Sequence, residues 1–83
     1  MQKSITSNNQ KALLSALRQL REHSSLRQID VALRLQVPQS FVSKYESGER
    51  RLDLLELEQV CKACGTTIDR LLALYEKNKA GAK

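Results

Sequence analysis

Apolar positions along the chain recur with a helical period. Leu13, Leu17 and Leu20 stand at i, i+4 and i+7, with Leu14 widening the stripe. That spacing predicts a first helix capped by Asn8 or Asn9 and running to about Glu22. His23-Ser24-Ser25 breaks it. Ser25 and Gln28 have capping-box spacing, and Leu26, Ile29, Val31, Ala32 and Leu35 supply a short second helix that Gln36-Val37-Pro38 stops. Pro38 suits the first turn of a third helix. Its inward positions are Phe41 or Val42, and Tyr45. Gly48, able to take positive φ, ends it. A fourth helix starts near Asp53, with Glu56 three residues in. Leu54, Leu57, Val60, Cys61 and Cys64 form its apolar face, and Gly65 follows its end. Thr66 or Thr67 caps a fifth helix carrying Ile68, Leu71, Leu72 and Tyr75. Residues 78–83 have no apolar anchor and are expected to fray. The pattern predicts an all-α domain of five short helices.

Length limits what such a domain can do. Eighty-three residues hold one domain, with one small core and no spare layer to wall off a deep catalytic cleft. Trp is absent and only Phe41, Tyr45 and Tyr75 are aromatic, so the core is built from leucines. No run reaches the roughly 18 apolar residues of a membrane span, and the first seven residues lack the apolar stretch of a signal peptide. These features suit a cytoplasmic protein, with Cys61 and Cys64 reduced.

The net charge is +5, unevenly spread. Residues 1–51 carry nine Lys/Arg against four Asp/Glu, residues 52–76 carry two against five, and residues 77–83 add three lysines. A basic front and an acidic back suit a domain presenting one face to a polyanion. The expected organisation is a flexible segment over 1–7, a folded domain over 8–76 and a basic flexible tail over 77–83.

The stretch from 28 to 47 holds two short helices separated by three or four residues, the spacing of a helix-turn-helix. Val31 and Leu35 lie one turn apart on the first, Val37 sits in the turn, and Val42 and Tyr45 lie at i, i+3 on the second. Ala32 is small where two steeply crossing helices come closest. This arrangement leaves Gln39, Ser40, Ser43 and Lys44 outward, and each can hydrogen-bond a base edge or a phosphate.

Leu20-Arg21, Gln28-x-x-Val31-Ala32, the run from Val37 to Gly48 (VPQSFVSKYESG) and Leu57-x-x-Val60-Cys61-x-x-Cys64-Gly65 together resemble the Cro/repressor-type, or XRE-like, helix-turn-helix family. The resemblance covers about residues 11–76. It implies a compact lambda-repressor-like five-helix domain that binds double-stranded DNA as a transcription regulator, usually as a homodimer. The third helix, about 39–47, would be the recognition helix in the major groove. Gln39, Ser40, Ser43 and Lys44 would then contact bases, and Arg27, Gln28, Lys44, Arg50 and Arg51 would contact phosphates. The family's ion pair between the end of the first helix and the end of the recognition helix falls on Arg21 and Glu46. Its second-helix Gln, here Gln28, braces the recognition-helix Gln, here Gln39.

Three positions depart from the family pattern. Gln36 occupies the turn position usually held by Gly, and a non-Gly residue at positive φ costs about 1 kcal/mol. Arg27 replaces the usual Ser or Thr, so Ser25 is expected to set the start of the second helix. The loop Glu49-Arg50-Arg51-Leu52-Asp53 lacks the frequent Pro. Phe41 has two open roles, packing half-buried or offering an apolar surface to a thymine methyl.

Other chemistries are weaker. Cys61-x-x-Cys64 has metal or redox spacing, but it lies late in a helix, on the apolar face, where the helix dipole raises rather than lowers a thiol pKa. Two Cys and the single His23 are too few for a zinc site. The pair reads as core, and no metal, cofactor, small-molecule ligand or enzymatic activity is expected. A protein-interaction module, antitoxin-like or adaptor, is the alternative use of the fold. The fifth helix carries more apolar surface than so small a core needs, which places a homodimer interface at Leu74 and Tyr75.

Overall fold

In the computed structural model of the chain, residues 8–81 are described; the segment 1–7 expected to be flexible lies outside them, as do residues 82–83. The described chain forms five helices: α1 (Asn8–His23), α2 (Gln28–Leu35), α3 (Gln39–Ser47), α4 (Leu54–Ala63) and α5 (Ile68–Gly81). No strand occurs among the described residues.

The helices collapse around Ala16, Leu17, Leu20, Val31, Ala32, Val42, Tyr45, Val60, Cys61, Cys64, Leu71 and Leu74. Residues from every helix meet there, which is how helices too short to stand alone become stable. Ala16, Val31, Ala32 and Val42 are fully buried, so α1, α2 and α3 meet through small or β-branched side chains. The largest fully buried side chain is Tyr45. Both cysteines belong to this cluster and are free thiols. Burial holds both thiols above their ordinary pKa, with Cys61 pushed up to about 11. They stay protonated and pack as small apolar residues.

The helix ends follow local chemistry, with three differences from the sequence expectations. Asn8 and Asn9 already lie inside α1, so its cap falls outside the described residues. The α2 cap is Arg27 rather than Ser25, which instead takes a left-handed conformation in the preceding turn. The Asp30 carboxylate accepts the Arg27 backbone N–H at 2.8 Å, supplying the return half of a capping box without Ser or Thr. Pro38 precedes the first turn of α3 instead of entering it. The remaining ends match. Gln36 adopts φ 62°, ψ 45° as the C-cap of α2, and Asp53 and Glu56 close a reciprocal capping box on α4. Gly65 takes φ 74° after α4, and Thr67 Oγ1 accepts from Arg70 N at the start of α5. Gly48 has φ 90°, which favours glycine, and a Cβ there would stand 3.1 Å from Leu14 Cδ1 and press on that side chain.

The C-terminal helix departs most from expectation. It continues as helix to Gly81, past the point where its apolar pattern stops. Asn78 supplies the missing anchor: its amide nitrogen donates to the Ala12 carbonyl at 3.1 Å and to Gln19 Oε1 at 3.2 Å. Leu74 is buried beside Leu71 in the core, whereas Leu72 is half exposed. The structure therefore moves Leu74 out of the expected interface. Tyr75 stays half-buried, packed against the core, with Lys79 Nζ 4.7 Å from its ring centre. On α4, Leu54 is 62% exposed and Leu55 71%, so the buried face starts at Leu57 rather than Leu54.

Candidate nucleic-acid interface

α2 and α3 pack against each other through Val31, Ala32, Val42 and Tyr45, all buried. Val37 fills the turn between them, where its N–H bonds the Ala32 carbonyl at 3.0 Å. With those side chains turned inward, Gln39, Ser40, Ser43 and Lys44 are all exposed on one helix. These are the four residues the sequence offers for base contact.

Behind that face lies a chain of hydrogen bonds from the core to the surface. Arg21 and Glu46 form a bidentate pair. Nε donates to Oε2 at 2.7 Å and Nη2 to Oε1 at 3.0 Å, while Nη1 reaches the Leu26 carbonyl at 3.0 Å. The Glu46 side chain is 3% exposed and that of Arg21 13%. The fork geometry fixes the end of α3 to the end of α1, and the hydrogen bond to Glu46 raises the Arg21 pKa further above its ordinary value. Glu46 Oε1 also accepts from Gln28 Nε2 at 3.0 Å, and Gln28 Oε1 accepts from Gln39 Nε2 at 3.4 Å. The pair and the Gln–Gln brace, expected separately, are thus one relay joined at Glu46. No sequence spacing signals that junction, because 18 residues separate Gln28 from Glu46.

The basic residues divide into engaged and free. Arg27 makes a bidentate pair with Asp30, at 3.1 and 3.0 Å. The side-chain hydrogen bond from Arg27 lowers the Asp30 pKa to about 2. The i, i+3 spacing of this pair is visible in the sequence, and the pairing engages an arginine that the sequence offers for phosphate. Arg50 lies 4.6 Å from the Phe41 ring centre and donates to Glu56 Oε2 at 2.6 Å. Phe41 also meets Tyr45 edge-on, with ring centres 5.9 Å apart. Its packing role is thereby observed, and Arg50 covers it. Lys44 and Arg51 are exposed and make no ion pair among the described residues.

No cluster of His, Cys, Asp and Glu able to hold a metal ion occurs among the described residues, and no described helix is long and apolar enough to cross a membrane.

This architecture is that of a helix-turn-helix protein, and comparison with known proteins agrees. The helix-turn-helix family profile matches residues 17–71, and the chain belongs to that family, in its XRE-type form. Among solved structures it is similar to an XRE-family like protein from Pseudomonas syringae pv. tomato str. DC3000. The two share 41% identity over 90% of this chain and 92% of that one, with a TM-score of 0.80. A search of curated proteins gives no match. The fold is that of a DNA-binding regulator.

Proposed function

We propose that this chain is a sequence-specific transcription regulator, not an enzyme, that lays α3 in the major groove of double-stranded DNA in the cytoplasm. The observation that carries the reading is the relay Arg21–Glu46–Gln28–Gln39. The same network that fixes α3 against α1 also orients the exposed Gln39 amide, as a base-reading side chain requires.

The relay also predicts what Gln39 reads. An ionised Glu46 can only accept, so Gln28 turns its amide nitrogen to Glu46 and its oxygen to Gln39. Gln39 spends one N–H on that oxygen. Its own carbonyl and second N–H remain, and that pair matches the N6 donor and N7 acceptor of adenine. Ser40, Ser43 and Lys44 extend the reading surface. Lys44 and Arg51, exposed and without an ion pair among the described residues, are the cations near α3 offered to phosphate. Gln28 is half-buried between Glu46 and Gln39, while Arg27 and Arg50 reach phosphate only by sharing or leaving Asp30 and Glu56. A homodimer would place two α3 helices one DNA turn apart, about 34 Å, on a palindromic operator. The adaptor alternative would favour apolar or acidic residues on the outward face of α3, where this chain has Gln, Ser and Lys.

The test is selection of bound sites from a random duplex pool. The expected product is a palindrome with adenine at the position facing Gln39. Gln39→Ala and Ser40→Ala should each cost about 1–3 kcal/mol on that site and almost nothing on random DNA. Lys44→Gln and Arg51→Gln should each lower the salt slope of binding by about 1. Equal losses on selected and random DNA would refute the assignment.

A further inference from the structure

Arg27 and Arg50 both lie close to the start of α3, and each is held by an acid of its own chain. Arg27 precedes Gln28, whose side chain bonds Gln39, and Arg50 lies 4.6 Å from the ring centre of Phe41. Arg27 donates to the two Asp30 carboxylate oxygens at 3.1 and 3.0 Å, and Arg50 donates to Glu56 Oε2 at 2.6 Å. The two acids occupy matching positions. Asp30 is the third residue of α2 and Glu56 the third of α4, and each also accepts the backbone N–H of the residue that caps its helix, at 2.8 and 2.9 Å. Capping does not require a full charge, because an amide oxygen accepts the same bond. What the charge adds, besides its attraction to the helix N-terminus, is a partner for the arginine.

We propose that Asp30 and Glu56 act as internal stand-ins for phosphate: they cancel the charge of Arg27 and Arg50 at the DNA face and so hold down the sequence-independent part of binding. This rests on the operator-binding reading and concerns how tightly that same face holds DNA. Neither pair is locked. Both are open to water, with the Arg27 side chain 79% exposed, and such ion pairs are weak. A phosphate can take either arginine. The acid left behind then stands within a Debye length of that phosphate, about 8 Å at physiological salt, and repels it. An arginine and its acid together displace almost no counterion, and counterion release is what drives sequence-independent binding. That part of the affinity is left to Lys44 and Arg51, which have no ion pair among the described residues. Base contacts from α3 then make up a larger share of the total. Lys79 and Glu76 form a similar pair at 3.3 Å on α5, the helix that packs against α1, and provide a control away from α3.

The test uses variants of the full chain that lose the charge and keep the capping oxygen. Fluorescence anisotropy reads the binding of Asp30→Asn and Glu56→Gln to the selected duplex and to a random duplex, from about 50 to 200 mM salt. Each should bind both duplexes more tightly than the parent and steepen the salt slope by about 1, so that the loss of affinity across that range grows about 3.5-fold. Arg27→Gln/Asp30→Asn should return the slope to that of the parent. Glu76→Gln removes the same charge and releases Lys79, and should leave the slope unchanged. On heparin, a polyanion without bases, Asp30→Asn and Glu56→Gln should elute at higher salt than the parent. An acid that aimed its arginine at phosphate would act with the opposite sign, so weaker binding or a shallower slope in either variant overturns the proposal. An equal steepening with Glu76→Gln does the same. Unchanged slopes in a parent that prefers its selected site refute the proposal alone. A parent with no preference for any duplex, but with the heparin shifts present, refutes the operator reading and leaves the charge cancellation standing.

Discussion

Replacing Glu46 by alanine tests the part of the structure that joins stability to recognition. The carboxylate is 3% exposed and accepts three hydrogen bonds, two from Arg21 and one from Gln28. Its removal leaves the Arg21 guanidinium, 13% exposed, with the Leu26 carbonyl as its remaining acceptor. Breaking one side of a buried pair costs about 3–5 kcal/mol. The residual access of water to Arg21 puts this case at the low end, about 3 kcal/mol. A domain of 83 residues has a total stability of about 4–12 kcal/mol, so the loss is a large share of it. At 4–8 °C per kcal/mol the melting temperature should fall by about 12–24 °C, read by circular dichroism at 222 nm. The companion Arg21→Met/Glu46→Leu removes both charges and fills the site. Its stability should lie within about 1 kcal/mol of the parent, or above it. It should still lose preference for the selected base at Gln39, because Gln28 no longer has an oriented acceptor. A Glu46→Ala protein that melts with the parent would refute the burial argument. A double variant as unstable as the single one would show that the pair itself stabilises the fold.

Other outcomes follow from individual backbone and titration features. Gln36→Gly should raise stability by about 0.5–1 kcal/mol, since relief of left-handed strain outweighs the extra chain entropy of glycine; urea denaturation measures it. Gly48→Ala should cost more than about 1 kcal/mol, because φ is 90° and the added methyl meets Leu14. Asp30 should titrate near pH 2 in the folded chain, below its ordinary 3.8. Its depressed pKa means that its contribution is complete above about pH 4 and is lost as pH falls through about 2, which carboxyl chemical shifts can follow. Both thiols should react with a disulfide reagent at pH 8 only as fast as the core opens, far slower than in urea, because Cys61 ionises near 11 and both are buried.

Much of the molecule is written in local sequence. The five helices follow from a 3.6-residue repeat of leucines, and their ends follow from residues whose effect is local: Asp53 with Glu56, Gly48, Gly65, and Gln36 forced into positive φ. The four outward residues of α3 were legible too, because fixing Val42 and Tyr45 inward decides where Gln39, Ser40, Ser43 and Lys44 point. The family pattern supplied Arg21 with Glu46 and Gln28 with Gln39, which periodicity alone does not pair.

The tertiary structure decided whatever depends on distance through space rather than along the chain. Leu72 and Leu74 are equally apolar. Only the packing of α5 on α1 shows that Leu74 faces the core and Leu72 the solvent, and only Asn78 bonding to Ala12 and Gln19 explains why α5 continues beyond its apolar stripe. Leu54 fits a helical apolar face by spacing, yet it is 62% exposed, because the neighbouring helices leave most of it uncovered. Charge shows the same division. Arg50 and Arg51 are adjacent and identical in composition, but the loop brings one onto Phe41 and Glu56 and leaves the other without an ion pair among the described residues. A periodic pattern specifies which face of a helix is apolar, because one residue fixes the direction of the next. It cannot specify how far the neighbouring helix extends to cover that face, because several helices must pack before that distance exists.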